Sequence, residues 1–179
     1  MPNRRRNDEL VITIDDDGGV TFGAPVGLEI PARSDGVPRT VELVDAHSVR
    51  ARVHAPGEPV VKELLAQPGE RWLGFGERSH AVSISEGAIE NYVGEGTFLP
   101  HEYLFLREII PAWAMRERLD ATYFPIPWAL STSGYGLLVE NDGLSVFRFR
   151  TAREDRWYLE IDSDTLTYRI FVGRDPLEA

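Results

Sequence analysis

The stretch over residues 123–141, which reads YFPIPWALSTSGYGLLVEN, places the strongest constraint on what this chain can fold into. Its first half cannot be helical, because Pro125 and Pro127 fix φ and push the residues before them into extended conformation. We therefore expect an extended, edge-like segment there. The second half sets the aliphatic residues 137–139 behind a serine- and glycine-rich turn over 133–136, as in an antiparallel strand pair. The stretch predicts a β-hairpin in the middle of an all-β domain.

The rest of the chain predicts further short strands separated by turns. Apolar and polar residues alternate most cleanly in 156–161 and 165–172, with Asp162–Asp164 as the turn between them. The other predicted strands are 9–14, 19–22, 27–30, two within 39–54, 60–66, 71–76, a hairpin of 82–84 with 88–92, and 145–150. About a dozen strands with almost no helical period indicate an antiparallel β-sandwich. The acidic run over 15–19 is interpreted as a tight hairpin turn rather than a calcium loop, because the other oxygen ligands of such a loop are missing.

Composition narrows the function classes. The 179 residues suit one domain, and a net charge of −10 argues against a nucleic-acid partner. No apolar run is long enough for a membrane span. The basic residues 4–6 are not followed by the apolar run of a secretory signal. We therefore expect a cytoplasmic protein with no membrane partner. The chain has no cysteine, and its four histidines lack metal-ligand spacing, so we predict no metal and no cofactor.

Two motifs carry a family resemblance. The first is Gly74-Phe75-Gly76-Glu77-Arg78, and the second combines Ile126-Pro127-Trp128, Ser131 and Gly134-Tyr135-Gly136. In this order and spacing they resemble the N-terminal β-sandwich domain of glycoside hydrolase family 31, the retaining α-glycosidases, with the resemblance strongest after Glu70. It implies a galactose mutarotase-like supersandwich that is non-catalytic, because in that family both catalytic carboxylates belong to a (β/α)₈ barrel. The fragment is then expected to be inactive, within a parent that hydrolyses O-glycosidic bonds.

The last residues predict where the domain ends. Asp175 followed by Pro176 is typical of a helix start, with a capping side chain and then a proline at the first helical position. We expect a β-sandwich over 1–173 and, over 174–179, the first residues of a linker helix. The resemblance implies that this helix leads to the catalytic barrel, which would be the partner of the domain and is absent from the chain.

A long irregular segment over 94–120 interrupts the strand pattern, and long loops without regular structure are commonly functional or covering segments. Its second half can hold one or two helical turns beginning at Pro111. The resemblance implies that this loop projects over the barrel mouth, with Glu95 in the place of a substrate-binding Asp and Tyr92 in that of a Trp. Glu95 is thus either a sugar contact or an exposed loop acid. Trp113 is kept as the second candidate sugar contact, with packing as its alternative.

Other candidates have mainly structural interpretations. Glu77 and Arg78 are predicted to form a buried or half-buried ion pair that fixes the strand, and Trp128 and Tyr135 are predicted to have packing roles. His80 and His101 are acid/base candidates only if the sandwich is itself a mutarotase-like enzyme, which needs a histidine and a carboxylate in one cleft. The leading hypothesis is an accessory domain that contacts carbohydrate substrate. The alternatives are a free-standing carbohydrate-binding module and, ranked last, the mutarotase-like enzyme.

Overall fold

The computed structural model describes residues 12–14, 20–22, 29–30, 39–57, 59–78, 81–91, 93 and 122–173. These residues form strands and contain no helix. The strands are β1 Ile12–Ile14, β2 Val20–Phe22, β3 Glu29–Ile30, β4 Arg39–Asp45, β5 Ser48–His54, β6 Val60–Leu65, β7 Trp72–Gly76, β8 Ser83–Ile84, β9 Gly87–Asn91, β10 Pro125–Ser131, β11 Tyr135–Val139, β12 Ser145–Phe149, β13 Arg156–Ile161 and β14 Thr165–Val172. The predicted all-β class is confirmed.

Two antiparallel sheets make the sandwich. One has seven strands in the order β4-β5-β14-β11-β10-β7-β8, and the other has four in the order β6-β13-β12-β9. In β5, β6, β13 and β14 alternate residues point into the space between the sheets, as the two-residue period of a strand requires. In β14 the buried residues are Leu166, Tyr168, Ile170 and Val172. The alternation seen in the sequence of this strand therefore marks its core face.

Aromatic rings fill the centre of the core and join the two sheets. The Trp72 ring, from the seven-stranded sheet, stacks on Phe149 of the four-stranded sheet with ring centroids 4.4 Å apart. Trp157 lies 6.1 Å from Trp72, and Phe75 meets Phe147 edge-on at 5.6 Å. All five side chains are at most 2% exposed. Fully burying side chains of this size gives about 1.5–3 kcal/mol each, so this cluster is a major source of the stability of the sandwich.

The central hairpin is present, and its first strand, β10, is paired on both sides only in its second half. Strand β10 pairs with β11 through Ala129↔Leu137 and also with β7 through Ala129↔Gly74. Residues 125–127 have no partner on β11, so the first half of the stretch is extended and edge-like, as predicted. The register between β10 and β7 shifts between Pro125 and Ala129. The two prolines, which cannot donate ladder hydrogen bonds, thus lie in the part of β10 that pairs on one side only.

The predicted hairpin of 82–84 with 88–92 is also wrong, although both strands exist. Strand β8 pairs with β7 in the seven-stranded sheet, and β9 pairs with β12 in the four-stranded sheet. Residues between Ile84 and Gly87 therefore cross from one sheet to the other. Gly87 has a φ of +124°, a conformation open mainly to glycine.

A three-stranded sheet of β1, β2 and β3 is formed by the N-terminal part of the chain. Strands β1 and β2 pair antiparallel from Ile14↔Val20 outward, so the hairpin predicted around the acidic run is confirmed, while residues 15–19 lie outside the described residues. Val20 is 2% exposed and belongs to the main core. This sheet therefore contributes to the same core as the sandwich.

Candidate functional site

Both predicted sugar-contacting residues lie outside the described residues. Glu95 and Trp113 belong to 94–121, of which the structure describes nothing, and so do Pro111 and His101. Their roles remain predictions. The structure does describe the two ends of this segment, Val93 and Thr122, which form an isolated parallel β-bridge with each other. The candidate site is therefore built from the residues around these two ends.

An apolar cluster is exposed where the segment ends. The side chains of Val93, Tyr123, Phe124 and Ile126 are 67%, 60%, 69% and 50% exposed. Three of them follow Thr122 at the start of β10, and the bridge places Val93 beside them. Large apolar side chains scattered singly on a surface are ordinary, whereas four of them near one backbone bridge make this region a candidate interaction surface. We call these four residues the apolar cluster.

The Gly74–Arg78 motif lies beside this cluster. The backbone N–H of Glu77 donates to the Phe124 carbonyl oxygen at 3.1 Å. The Arg78 guanidinium donates from Nε to the Phe75 carbonyl oxygen at 3.0 Å and from Nη2 to the Glu90 carbonyl oxygen and Asn91 Oδ1, both at 3.1 Å. The Glu77 side chain is exposed. The predicted Glu77–Arg78 ion pair is therefore replaced by hydrogen bonds from Arg78 to backbone carbonyls and an amide.

The other candidates have structural roles or are not described. Tyr135 is fully buried, and the half-buried Trp128 packs edge-on against Phe171 with ring centroids 5.4 Å apart, so packing is confirmed for both. His80 lies outside the described residues. Of the described histidines, His54 shares a hydrogen bond with Thr165 Oγ1 at 2.8 Å on an exposed surface. Within the described parts of the chain, no group of three His, Cys, Asp or Glu side chains is arranged to hold a metal ion.

A buried acidic network was not predicted from the sequence. Glu70, 2% exposed, accepts hydrogen bonds from the Gln67 backbone N–H at 2.7 Å and from the Ser131 hydroxyl. Trp72 Nε1 donates to the Tyr135 hydroxyl at 3.4 Å. Burial, and then the neighbouring Glu70 carboxylate, raise the pKa of Tyr135 well above its usual value of 10.0. The network joins β7, β10 and β11 inside the sandwich.

The outer faces of both sheets carry ion pairs. Glu160 pairs with Arg148 at 2.7 Å and Glu63 with Arg156 at 2.6 Å on the four-stranded sheet. On the seven-stranded sheet Arg50 pairs with Glu140 at 2.6 Å beside a surface depression of about 270 Å³. In each of these contacts the carboxylate is paired with an arginine guanidinium. They do not form the pair of facing carboxyl groups that glycoside hydrolysis uses.

Comparison with known proteins identifies the fold. No protein-family model matches the chain, and no curated protein sequence matches it. Among solved structures, a family 31 dextranase from Flavobacterium johnsoniae, in complex with isomaltotriose, is 15% identical with a TM-score of 0.59; the match covers 94% of this chain and 17% of that one. A family 31 sulfoquinovosidase from E. rectale, in complex with an aza-sugar inhibitor, is 15% identical with a TM-score of 0.57, over 91% of this chain and 23% of that one.

A third similar structure is a cycloalternan-forming enzyme from Listeria monocytogenes in complex with a pentasaccharide substrate. It is 16% identical with a TM-score of 0.54, and the match covers 98% of this chain and 16% of that one. The chain thus has the fold of a segment found in glycoside hydrolase family 31 enzymes, and it spans 16–23% of the length of these three structures. The β-sandwich fold and the resemblance to family 31 structures expected from the two sequence motifs are confirmed, while the galactose mutarotase-like description stays a prediction. Within the described residues, no helix is long and apolar enough to cross a membrane, and the cytoplasmic location remains a prediction.

Proposed function

We propose that the chain is a non-catalytic domain of a glycoside hydrolase family 31 α-glycosidase, which packs on a catalytic (β/α)₈ barrel and contributes a segment to the sugar pocket. The observation that carries the proposal is the fold coverage: 91–98% of this chain matches less than a quarter of each of three carbohydrate-active enzymes. Most of such an enzyme has no counterpart in this chain. The bond-breaking carboxylates are then expected in that remainder.

The apolar cluster is the surface we assign to the barrel. Burying an exposed Phe or Ile side chain is favourable by about 1.5–3 kcal/mol, and interfaces between domains are commonly built from such groups. Val93 and Thr122, the two ends of the 94–121 segment, lie at this cluster. A domain docked on the apolar cluster would therefore lie next to both ends of the 94–121 segment.

The same placement supports Glu95 and Trp113 as candidate sugar contacts. Glu95 is two residues beyond Val93 in the sequence, and two residues span at most about 7 Å of chain. A carboxylate suits the hydroxyl groups of a sugar, and an indole suits an apolar face of the ring. In this proposal both residues bind carbohydrate, and neither is a catalytic residue.

Two measurements on the isolated chain test the proposal. We expect no hydrolysis of aryl α-glycosides and no heat of binding in calorimetric titrations with maltose or isomaltose, since the pocket is completed by the barrel. Binding at millimolar or lower concentration would favour the carbohydrate-binding module instead. Turnover by the purified chain would favour an enzyme on the sandwich itself.

The docking surface is tested in the protein that joins this domain to the barrel. Phe124→Ser is expected to weaken domain packing and speed proteolysis between the domains. Val61→Ser is the matched control, because Val61 is also an exposed apolar residue, at 44%, but lies on the outer face of the four-stranded sheet. Equal cleavage rates in the two variants would contradict the assignment of the apolar cluster to the barrel.

A further inference from the structure

The Gly74–Arg78 motif has an unusual backbone. Gly74, Phe75 and Gly76 have φ values of +106°, +69° and +81°, so three successive residues lie in a region that L-residues seldom adopt. Phe75 is nevertheless one of the core residues at 2% exposed. A non-glycine residue at positive φ costs about 1–3 kcal/mol and persists only where its surroundings hold it, and such strain is concentrated at functional positions.

The strained backbone leads directly to the returning end of the 94–121 segment. Glu77 N–H donates to the Phe124 carbonyl oxygen at 3.1 Å, and Phe124 N–H donates to Thr122 Oγ1 at 3.4 Å. Gly76 lies so close to this strand that a Cβ placed on it would overlap the Phe124 carbonyl oxygen. The motif and residues 122–124 are therefore in direct backbone contact.

One residue later, the motif reaches the departing end of the same segment. Arg78 Nη2 donates to the Glu90 carbonyl oxygen and to Asn91 Oδ1, and Asn91 Nδ2 donates to Ser145 Oγ at 3.1 Å. Strand β9, which contains Glu90 and Asn91, belongs to the four-stranded sheet, whereas β7 belongs to the seven-stranded sheet. Arg78 therefore links the two sheets at the point where the chain leaves β9 for Val93.

We propose that Gly76, Glu77 and Arg78 form an anchor that fixes the two ends of the 94–121 segment relative to each other, with Arg78 as a positioning residue. A planar guanidinium with several fixed donors is suited to three acceptors on two sheets, and a lysine ammonium is not equivalent to it. Only the purpose of the anchor rests on the proposed function, because a segment that contributes to a sugar pocket needs its two ends held in place. The anchor itself is tested without any sugar or barrel.

The absence of cysteine from the chain makes a paired spin-label experiment direct. Val93→Cys and Tyr123→Cys place nitroxides at two exposed positions on either side of the Val93–Thr122 bridge. We expect strong dipolar broadening of the frozen EPR spectrum in the otherwise unchanged chain. Arg78→Ala should remove most of the broadening, and Arg78→Lys should restore part of it. Arg148→Ala is the control. It removes an arginine of β12 that forms an ion pair with Glu160, and it should leave the spectrum unchanged.

Near-ultraviolet circular dichroism, recorded on the same samples, reports whether the aromatic core is intact. Broadening in Arg78→Ala equal to that of the parent would overturn the inference. The inference would also be overturned if both Arg78 variants lost the near-ultraviolet signal of the core as well as the broadening. Arg78 would then support the whole fold rather than the ends of the segment. A failure of the domain to bind a barrel would refute the proposed function but leave this result unchanged.

Discussion

The close approach of Gly76 to β10 gives a sharp stability prediction for Gly76→Ala. Its φ of +81° costs an alanine about 1–2 kcal/mol, since a Cβ in the left-handed region meets its own backbone. The added Cβ would also overlap the Phe124 carbonyl oxygen and come within 2.6 Å of the Ile126 nitrogen. Both are backbone atoms, which do not rotate away. The strand must shift, and loss of the Glu77–Phe124 hydrogen bond adds about 0.5–1.5 kcal/mol.

Together these effects predict that Gly76→Ala lowers the free energy of unfolding by about 1.5–3.5 kcal/mol. Two glycines of the same chain separate the causes. Gly69 has a φ of +75° but nothing within 4 Å of an added Cβ, so Gly69→Ala should show only the backbone strain of about 1–2 kcal/mol. An added Cβ at Gly143 makes ordinary contacts at 3.7 Å or more, so Gly143→Ala should change stability by less than about 0.5 kcal/mol.

Urea unfolding followed by tryptophan fluorescence measures all three variants, because Trp72 and Trp157 are fully buried. The three unfolding midpoints should fall in the order Gly143→Ala, Gly69→Ala, Gly76→Ala, from highest to lowest. A Gly76→Ala variant no less stable than Gly69→Ala would show that β10 yields without loss. The reasoning from close backbone approach would then be refuted, and with it the part of the anchor that Gly76 supplies.

Two further predictions concern the buried network and its surroundings. The pKa of Tyr135 is raised in the folded state, so above pH 10.0 the folded protein keeps a proton that the unfolded chain releases. The free energy of unfolding therefore falls as the pH rises above that value. The slope contributed by Tyr135 is at most about 1.4 kcal/mol per pH unit, and it should disappear in Tyr135→Phe but persist in Tyr123→Phe, an exposed control. Arg150 donates to the carbonyl oxygens of Gln67, Glu70, Ser85 and Glu154. Arg150→Ala should therefore lower the free energy of unfolding by about 2–4 kcal/mol. The control is Arg153→Ala, which should change it by less than about 0.5 kcal/mol because the Arg153 side chain pairs with Asp155 on the surface. Equal urea midpoints for the two variants would contradict the prediction.

Sequence patterns predicted the strands wherever one face of a strand is buried and the other is solvated. The alternation in 156–161 and 165–172 matches β13 and β14 residue for residue, because burial itself has the two-residue period of the strand. Pairing was harder to predict. The two prolines indicated an edge, and they lie in the part of β10 that has no partner on β11, whereas the second half of the same strand is interior, which the prolines do not reveal. Strands β8 and β9 are adjacent in sequence and lie in different sheets, which a local pattern does not encode.

The buried network and the contacts of Arg78 were the least predictable because their partners are distant in sequence. Glu70 and Ser131 are 61 positions apart, and Glu70 follows a Gln-Pro-Gly turn that gives no local sign of a buried acid. The contacts of Arg78 with Glu90 and Asn91 likewise depend on two sheets meeting at one end. The neighbouring Glu77 in the sequence suggested an ion pair instead. For Arg78, proximity in sequence was therefore a poor guide to its partners.

The structure also explains why both sequence motifs are rich in glycine. Trp128, in the interior strand β10, lies between Gly74 on β7 and Gly136 on β11. A Cβ on Gly74 would come within 2.8 Å of the Trp128 ring, and one on Gly136 would overlap that ring on its other side. The indole thus lies across both neighbouring strands and excludes any side chain there. Because each motif supplies one glycine to the same tryptophan, the two motifs form a single packing unit that holds β7, β10 and β11 side by side.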